Sequence, residues 1–90
     1  MKFKNTNTSQ IKDLHEIYNQ IFNTKQDGFF VEVGAYDGYR WSNTVPLINN
    51  GWGGALVEPI NSYANACRNR YKDNSKITTY ECCIGGENKE

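Results

Sequence analysis

The sequence predicts an α/β fold, a Rossmann-like doubly wound parallel sheet truncated to about three strands, with one helix ahead of a βαβαβ run. Three observations predict it. Apolar runs at 29–33 and 55–57 each stop at a turn marked by glycine or proline. A third stretch, 77–84, is rich in β-branched and aromatic residues. Helix-start signals fall between these runs, so strand and helix alternate. Right-handed crossovers then lay the strands side by side in parallel, with helices expected on both faces.

Taken in order, residues 1–8 are polar and read as a flexible lead-in. Ser9 is an N-cap candidate for the first helix, and Ile11, Leu14, Ile17, Tyr18, Ile21 and Phe22 recur at helical spacing as one apolar stripe. Asp27-Gly28 is a turn signal. Phe29 to Val33 follows as the first strand, apolar but for Glu32, the pattern of a strand covered on both faces. Ser42 or Asn43 can cap a second helix whose first turn contains Pro46, where a missing N–H does little harm. Asn50-Gly51 stops that helix, Ala55 to Glu58 forms the second strand, and Pro59 ends it. Asn61 or Ser62 caps a third helix running toward Lys72. Asp73-Asn74-Ser75 turns the chain into a third strand, Ile77 to Ile84. Gly85-Gly86 closes a domain spanning 9–86, and 87–90 is a charged tail.

Composition narrows the function classes. With 90 residues, 38% hydrophobic content and zero formal net charge, the chain suggests neither a polyanion partner nor a membrane span. Arg68, Arg70 and Lys72 are too few for a nucleic-acid surface and read as a solvated helix face. The amino terminus lacks the apolar core of a signal peptide. Cys67, Cys82 and Cys83 form an odd set with no common zinc spacing, and read as buried reduced thiols of a cytoplasmic protein. Trp41 and Trp52 are expected in the core. His15 is the only histidine and lacks the sequence partners that acid–base work requires.

The functional signal lies where the first strand ends. Val33-Gly34-Ala35-Tyr36-Asp37-Gly38 is a glycine-punctuated acidic turn, and Glu58 closes the second strand 20 residues beyond Gly38. In open α/β sheets such a turn lets backbone approach a nucleoside cofactor, and such a carboxylate accepts hydrogen bonds from ribose hydroxyls. A dinucleotide fingerprint would need glycine where Tyr36 and Tyr39 stand. Glu32 and Asp37 would repel a pyrophosphate and favour a cation, such as the sulfonium and ammonium of S-adenosylmethionine. Nothing in the sequence requires a metal. Glu32, inside an apolar strand, needs a partner or a ligand because an unpaired buried carboxylate is costly, and Arg40 is one candidate.

The blocks Phe30 to Gly38, Ser42-Asn43-Thr44, Gly51 to Pro59 and Asn69-Arg70, in that order, resemble FkbM-type methyltransferases. The resemblance covers about Gly28 to Gly86. It implies a class I S-adenosylmethionine-dependent enzyme, acting mostly on oxygen, with a small-molecule or glycan hydroxyl as acceptor. It implies that Glu32 and the backbone of Gly34, Ala35 and Tyr36 lie against the methionine moiety, while Asp37 shapes the turn and adds negative potential. Ser42 and Asn43 would bond the amino-acid end, Glu58 the ribose hydroxyls, and Pro59 and Ile60 would pack on adenine. Cys83 and Ile84 would border the adenine edge. The family's sheet has more strands than these, so catalytic residues stay unassigned. The first strand is then left at an edge that invites self-association or a second polypeptide. A non-catalytic cofactor-binding fragment and an inactive truncated remnant are the alternatives.

Overall fold

The computed structural model describes residues 2–83. Ile84, Gly85-Gly86 and the tail 87–90 lie outside the described residues. The elements are α1 (Leu14–Phe22), β1 (Phe29–Val33), α2 (Val45–Asn49), β2 (Gly53–Val57), α3 (Asn61–Arg70) and β3 (Ile77–Tyr80). The strands form one parallel sheet in the order β1-β2-β3, with Phe29 beside Gly53 and Gly54 beside Ile77. The alternation of strand and helix is thus realised, and β1 has the bounds its sequence predicts.

Register sorts the side chains onto two unlike faces. Phe30, Leu56 and Ile77 point to one face and are buried, joining Leu47 and Ile48 of α2, Cys67 of α3, and Trp52 in a single core. Tyr18 and Phe22 of α1 and Tyr71 pack against the same core. Phe29, Val31, Val33 and Tyr80 point to the other face and are exposed. Only the small or central Ala55 and Val57 are buried there. Helices therefore cover one face, not both, and the apolar run of β1 is covered on one side alone. Close packing on the covered face requires a glycine in β2: a Cβ on Gly54 would sit 2.4 Å from the Phe30 ring.

Several expected boundaries move for identifiable reasons. The first helix starts at Leu14 behind Asp13, which is left-handed (φ 54°), while the Ser9 hydroxyl donates to the Ile11 carbonyl instead of capping a helix. Of the stripe Leu14 is buried and Tyr18 and Phe22 are partly buried, whereas Ile11, Ile17 and Ile21 are exposed. The amino-terminal segment is no loose lead-in. Phe3 is 1% exposed, its ring 5.7 Å from Tyr18 and 6.2 Å from both Phe22 and Trp52. The Asn19 amide brackets the Phe3 backbone, accepting its N–H at 2.8 Å and donating to its carbonyl at 3.0 Å.

The N-cap of α2 is Thr44 and not Ser42 or Asn43, although the Ser42 Oγ accepts the Thr44 and Val45 N–H groups at 3.1 and 3.3 Å. Asn61 is the first residue of α3, not its cap, and its amide donates to Glu81 at 3.0 Å. Glu81 also pairs with Arg68 at 3.3 Å, and β3 ends at Tyr80, short of the Ile84 expected. No helix among the described residues is long and apolar enough to cross a membrane.

Candidate functional site

Parallel strands bring their carboxyl ends to one edge of the sheet, and the two sequence signals meet there. Gly34 and Gly38 take positive φ, 74° and 82°, the conformation glycine adopts at least cost. Gly34 donates its N–H to the Val57 carbonyl at 2.8 Å, tying the turn to the end of β2. A Cβ on Gly34 would meet nothing within 4 Å, so the backbone there borders open space.

Tyr36 is the fixed point of the turn. It is left-handed (φ 53°), an unfavourable conformation for a large side chain, and its peptide groups are held from both directions. Its N–H donates to Glu58 Oε1 at 2.8 Å, and its carbonyl accepts the Cys67 thiol at 2.9 Å. Glu58 Oε2 accepts the Ile60 N–H at 3.1 Å. Glu58 is 2% exposed, so its carboxylate already bonds the turn and the start of the next loop. Tyr71 adds a third tie, donating from its hydroxyl to the Gly38 carbonyl at 2.6 Å. Asp37 Oδ1 accepts the N–H groups of Tyr39 and Arg40 at 3.0 and 2.8 Å. Partial burial pushes the Asp37 carboxyl upward. The two N–H bonds, with Arg70 and Arg40, outweigh that and hold it below the usual carboxylate range.

Glu32 finds its partners in the Ser-Asn-Thr segment and not in Arg40. The Thr44 and Ser42 hydroxyls donate to its Oε1 at 2.5 and 3.3 Å, and the Asn43 N–H lies 3.4 Å from Oε2. Ser42 is buried and committed to Glu32 and the start of α2, while the Asn43 amide oxygen accepts the Gln10 N–H at 3.0 Å. A cleft of about 450 Å³ opens beside these groups. It is bordered by Glu32, Gly34, Tyr36, Trp41, Asn43 and Thr44, and no lysine or arginine lines it. Ala35 is buried in the core. Pro59 and Ile60 are exposed just beyond Glu58.

Burial pushes the Cys67 thiol up to about 11. The carboxylates of Glu58, Asp37 and Glu32 add to the rise and Arg70 opposes it, so three negative charges act on this edge of the sheet.

Trp41 escapes the expectation of burial. It is 55% exposed with φ 62° and borders the cleft, whereas Trp52 is buried with its indole N–H on the Lys25 carbonyl at 2.9 Å. Tyr36 and Tyr63, both partly exposed, meet edge to face with centroids 5.7 Å apart. These exposed aromatics flank the turn, a role that residue type alone does not announce. Cys67 is buried, but Cys82 and Cys83 are exposed, against the expectation for all three. Cys83 lies just past β3, and Ile84 lies outside the described residues. His15 lies on α1, outside the cleft, and its Nδ1 is buried without a hydrogen-bond partner. Among the described residues no group of three or more acidic, cysteine or histidine side chains is placed to hold a metal ion. No protein-family model matches this chain, and neither a curated protein nor a solved structure matches it.

Proposed function

We propose that this chain carries the cofactor-holding part of an S-adenosylmethionine-dependent methyltransferase of FkbM type, built on a truncated Rossmann-like sheet. One observation carries the reading. The cleft at the carboxyl end of β1 has a carboxylate, Glu32, in its wall and no basic side chain. Such a wall favours a sulfonium and an ammonium and disfavours a pyrophosphate. The open backbone at Gly34 and the exposed Pro59 and Ile60 beyond Glu58 agree with a nucleoside-bearing ligand laid across the ends of β1 and β2.

When bound, S-adenosylmethionine supplies an electrophilic methyl group. The residues here supply position and potential. Glu32, Gly34 and Tyr36 would border the methionine part, and Asn43 would face its amino-acid end. Ser42 would act by orienting Glu32. Glu58 would reach ribose only through the lone pairs left over from Tyr36 and Ile60. Asp37 shapes the turn and adds to the negative field. The acceptor would be a hydroxyl on a small molecule or glycan.

Binding without transfer is the second reading. The observation that favours it is that Glu32 is the one carboxylate of the cleft wall, both hydroxyls bond its Oε1, and no histidine, lysine or cysteine lines the cleft to take an acceptor's proton.

Calorimetric titration of the full chain tests the proposal, with Glu32→Gln as the variant. Glutamine keeps an acceptor oxygen for Ser42 and Thr44 while removing the charge. Saturable binding of S-adenosylmethionine, about tenfold weaker in the variant, is the expected result, the scale of one hydrogen bond to a charged group. Tighter binding of NAD, or no binding of S-adenosylmethionine by the folded chain, would overturn it. Radiolabelled methyl transfer to hydroxyl acceptors then separates an enzyme from a binding fragment.

A further inference from the structure

A second, smaller cleft adjoins the first, and apart from Tyr36 and Asp37 its walls have no part in the cofactor reading. Its volume is about 130 Å³, and its walls are Tyr36, Asp37, Arg40, Trp41 and Tyr63. Tyr36 and Trp41 line both clefts, so an object in either one borders the same two residues. Both residues hold left-handed backbone and keep large apolar side chains in water. Each of those features costs free energy, and neither repays it by burying the ring in the core.

The charges of this cleft are unequal in their commitments. Asp37 Oδ1 is occupied by the Tyr39 and Arg40 N–H groups, and Arg70, which lies over the Tyr39 ring at 4.6 Å, also acts on the Asp37 charge. The Arg40 guanidinium also acts on the Asp37 charge but makes no ion pair or side-chain hydrogen bond among the described residues. An arginine and exposed aromatic residues in one cleft wall suit an anion attached to a ring. The volume limits the ligand, because typical drug-sized pockets span about 300–1,000 Å³. This one admits a single ring.

We infer that the Tyr36–Trp41 cleft is the acceptor subsite. It would take a single-ring hydroxyl compound that carries an anionic substituent, with the ring against Trp41 and the anion on Arg40. The inference rests on the methyltransferase reading for the word acceptor, but the binding site itself does not. Two sources supply this chemistry, aryl carboxylates and sugar phosphates. Trp41 faces both clefts, and it is placed to carry the acceptor's hydroxyl toward the side lined by Glu32 and Gly34.

The two tryptophans make the test direct, since Trp41 is exposed and Trp52 is buried. Acrylamide quenching of the full chain is measured with 4-hydroxybenzoate, with glucose 1-phosphate, and with phenol and glucose as neutral counterparts. The expected result is saturable protection of Trp41 by one of the two anions, about tenfold weaker in Arg40→Gln. That variant changes an exposed side chain and leaves the Arg40 N–H on Asp37 in place. The protected signal must vanish in Trp41→Phe, which assigns it. Whichever anion protects identifies the source. Protection by neither anion, or equal protection by the neutral rings with no effect of Arg40→Gln, overturns the inference. Titration with S-adenosylmethionine is run separately. If it fails while an anion protects Trp41, the subsite stands and the transfer reading falls.

Discussion

Glu58→Gln separates a structural role from a ligand role at one atom. The carboxylate accepts two backbone N–H groups, from Tyr36 and Ile60, and it is buried. Glutamine would aim an NH₂ group at one of those N–H groups, leaving a buried donor unsatisfied. A loss of about 1–3 kcal/mol in urea-unfolding stability is expected without any cofactor present. Unchanged stability would return Glu58 to a purely ligand-binding role. The spacing of Glu58 from the glycine turn was legible in the sequence, because both sit at strand ends. Its burial was not, because that depends on where the Tyr36 N–H points, and Tyr36 is in a left-handed conformation that residue type does not favour. Cys67 offers a second test at this scale. Its thiol is buried, donates to the Tyr36 carbonyl, and is pushed up to about 11, so it should resist iodoacetamide at neutral pH while Cys82 and Cys83 react. Mass spectrometry should find the third adduct only after unfolding. The sign of the pH effect follows. The folded state holds the thiol proton more tightly than the unfolded state, whose value is near 9.0, so stability falls as pH rises from there toward about 11. Cys67→Ala should flatten that alkaline slope in the urea midpoint.

At the scale of elements, α3 and the residue after it act as a brace for the glycine turn. Cys67 holds the Tyr36 carbonyl, Tyr71 holds the Gly38 carbonyl, and Arg70 covers the Tyr39 ring. Tyr71→Phe removes one of these ties and nothing else of size. It should cost about 0.5–1.5 kcal/mol in thermal or urea unfolding and speed amide exchange in the 34–40 turn. Loss of stability without faster exchange in that turn would deny the brace. β2 is pinned differently. Gly54→Ala drives a methyl into the Phe30 ring, and overpacking of this kind costs roughly 1–3 kcal/mol. The strands were the most legible elements, since short apolar runs between turn residues leave few alternatives. Even so, β2 begins at Gly53, whose N–H bonds the Gly28 carbonyl, and ends at Val57 instead of spanning Ala55 to Glu58. α1 was only half legible. Its stripe of six apolar residues has the right period, but Phe3 folds back to occupy Leu14's side of the helix through Tyr18 and Phe22, and the isoleucines face water. No local signal in a polar leader announces that one phenylalanine in it will enter the core. Likewise, Trp41 and Trp52 are the same residue type and only tertiary packing tells them apart.

At the scale of the molecule, strand order and parallel pairing follow from the alternation of elements, but coverage of the sheet does not. Among the described residues the three helices pack on the Phe30–Leu56–Ile77 face, so Phe29, Val31 and Val33 are left in water on a strand whose one partner there is β2. The hydrogen bonds fix which backbone groups are free. The Gly28 carbonyl accepts from Gly53 and the Gly34 N–H donates to Val57, so alternation along a parallel strand turns the N–H and C=O groups of Phe29, Val31 and Val33 outward. Glu32 is the one charge on this edge strand and points to the covered face, no proline or lysine stands in Phe29–Val33, and the molecule carries no formal net charge to keep copies apart. A second copy at this edge would share Val31, Glu32 and Val33 with the proposed cofactor cleft and so compete with its ligand. Antiparallel pairing about a two-fold axis at Val31 sets Val31 against Val31 and Phe29 against Val33 on the open face. On the covered face it sets Phe30 opposite Glu32, avoiding the contact between two Glu32 side chains that parallel pairing in register would make. Sedimentation equilibrium should therefore show a dimer that Val31→Pro abolishes. The substitution removes an outward N–H but no bond of the β1–β2 ladder, and it leaves the open face apolar. A dimer that survives Val31→Pro and yields only to Val31→Lys would mean that two open faces pack against each other. A monomer at every concentration would mean that the edge is stable in water as it stands.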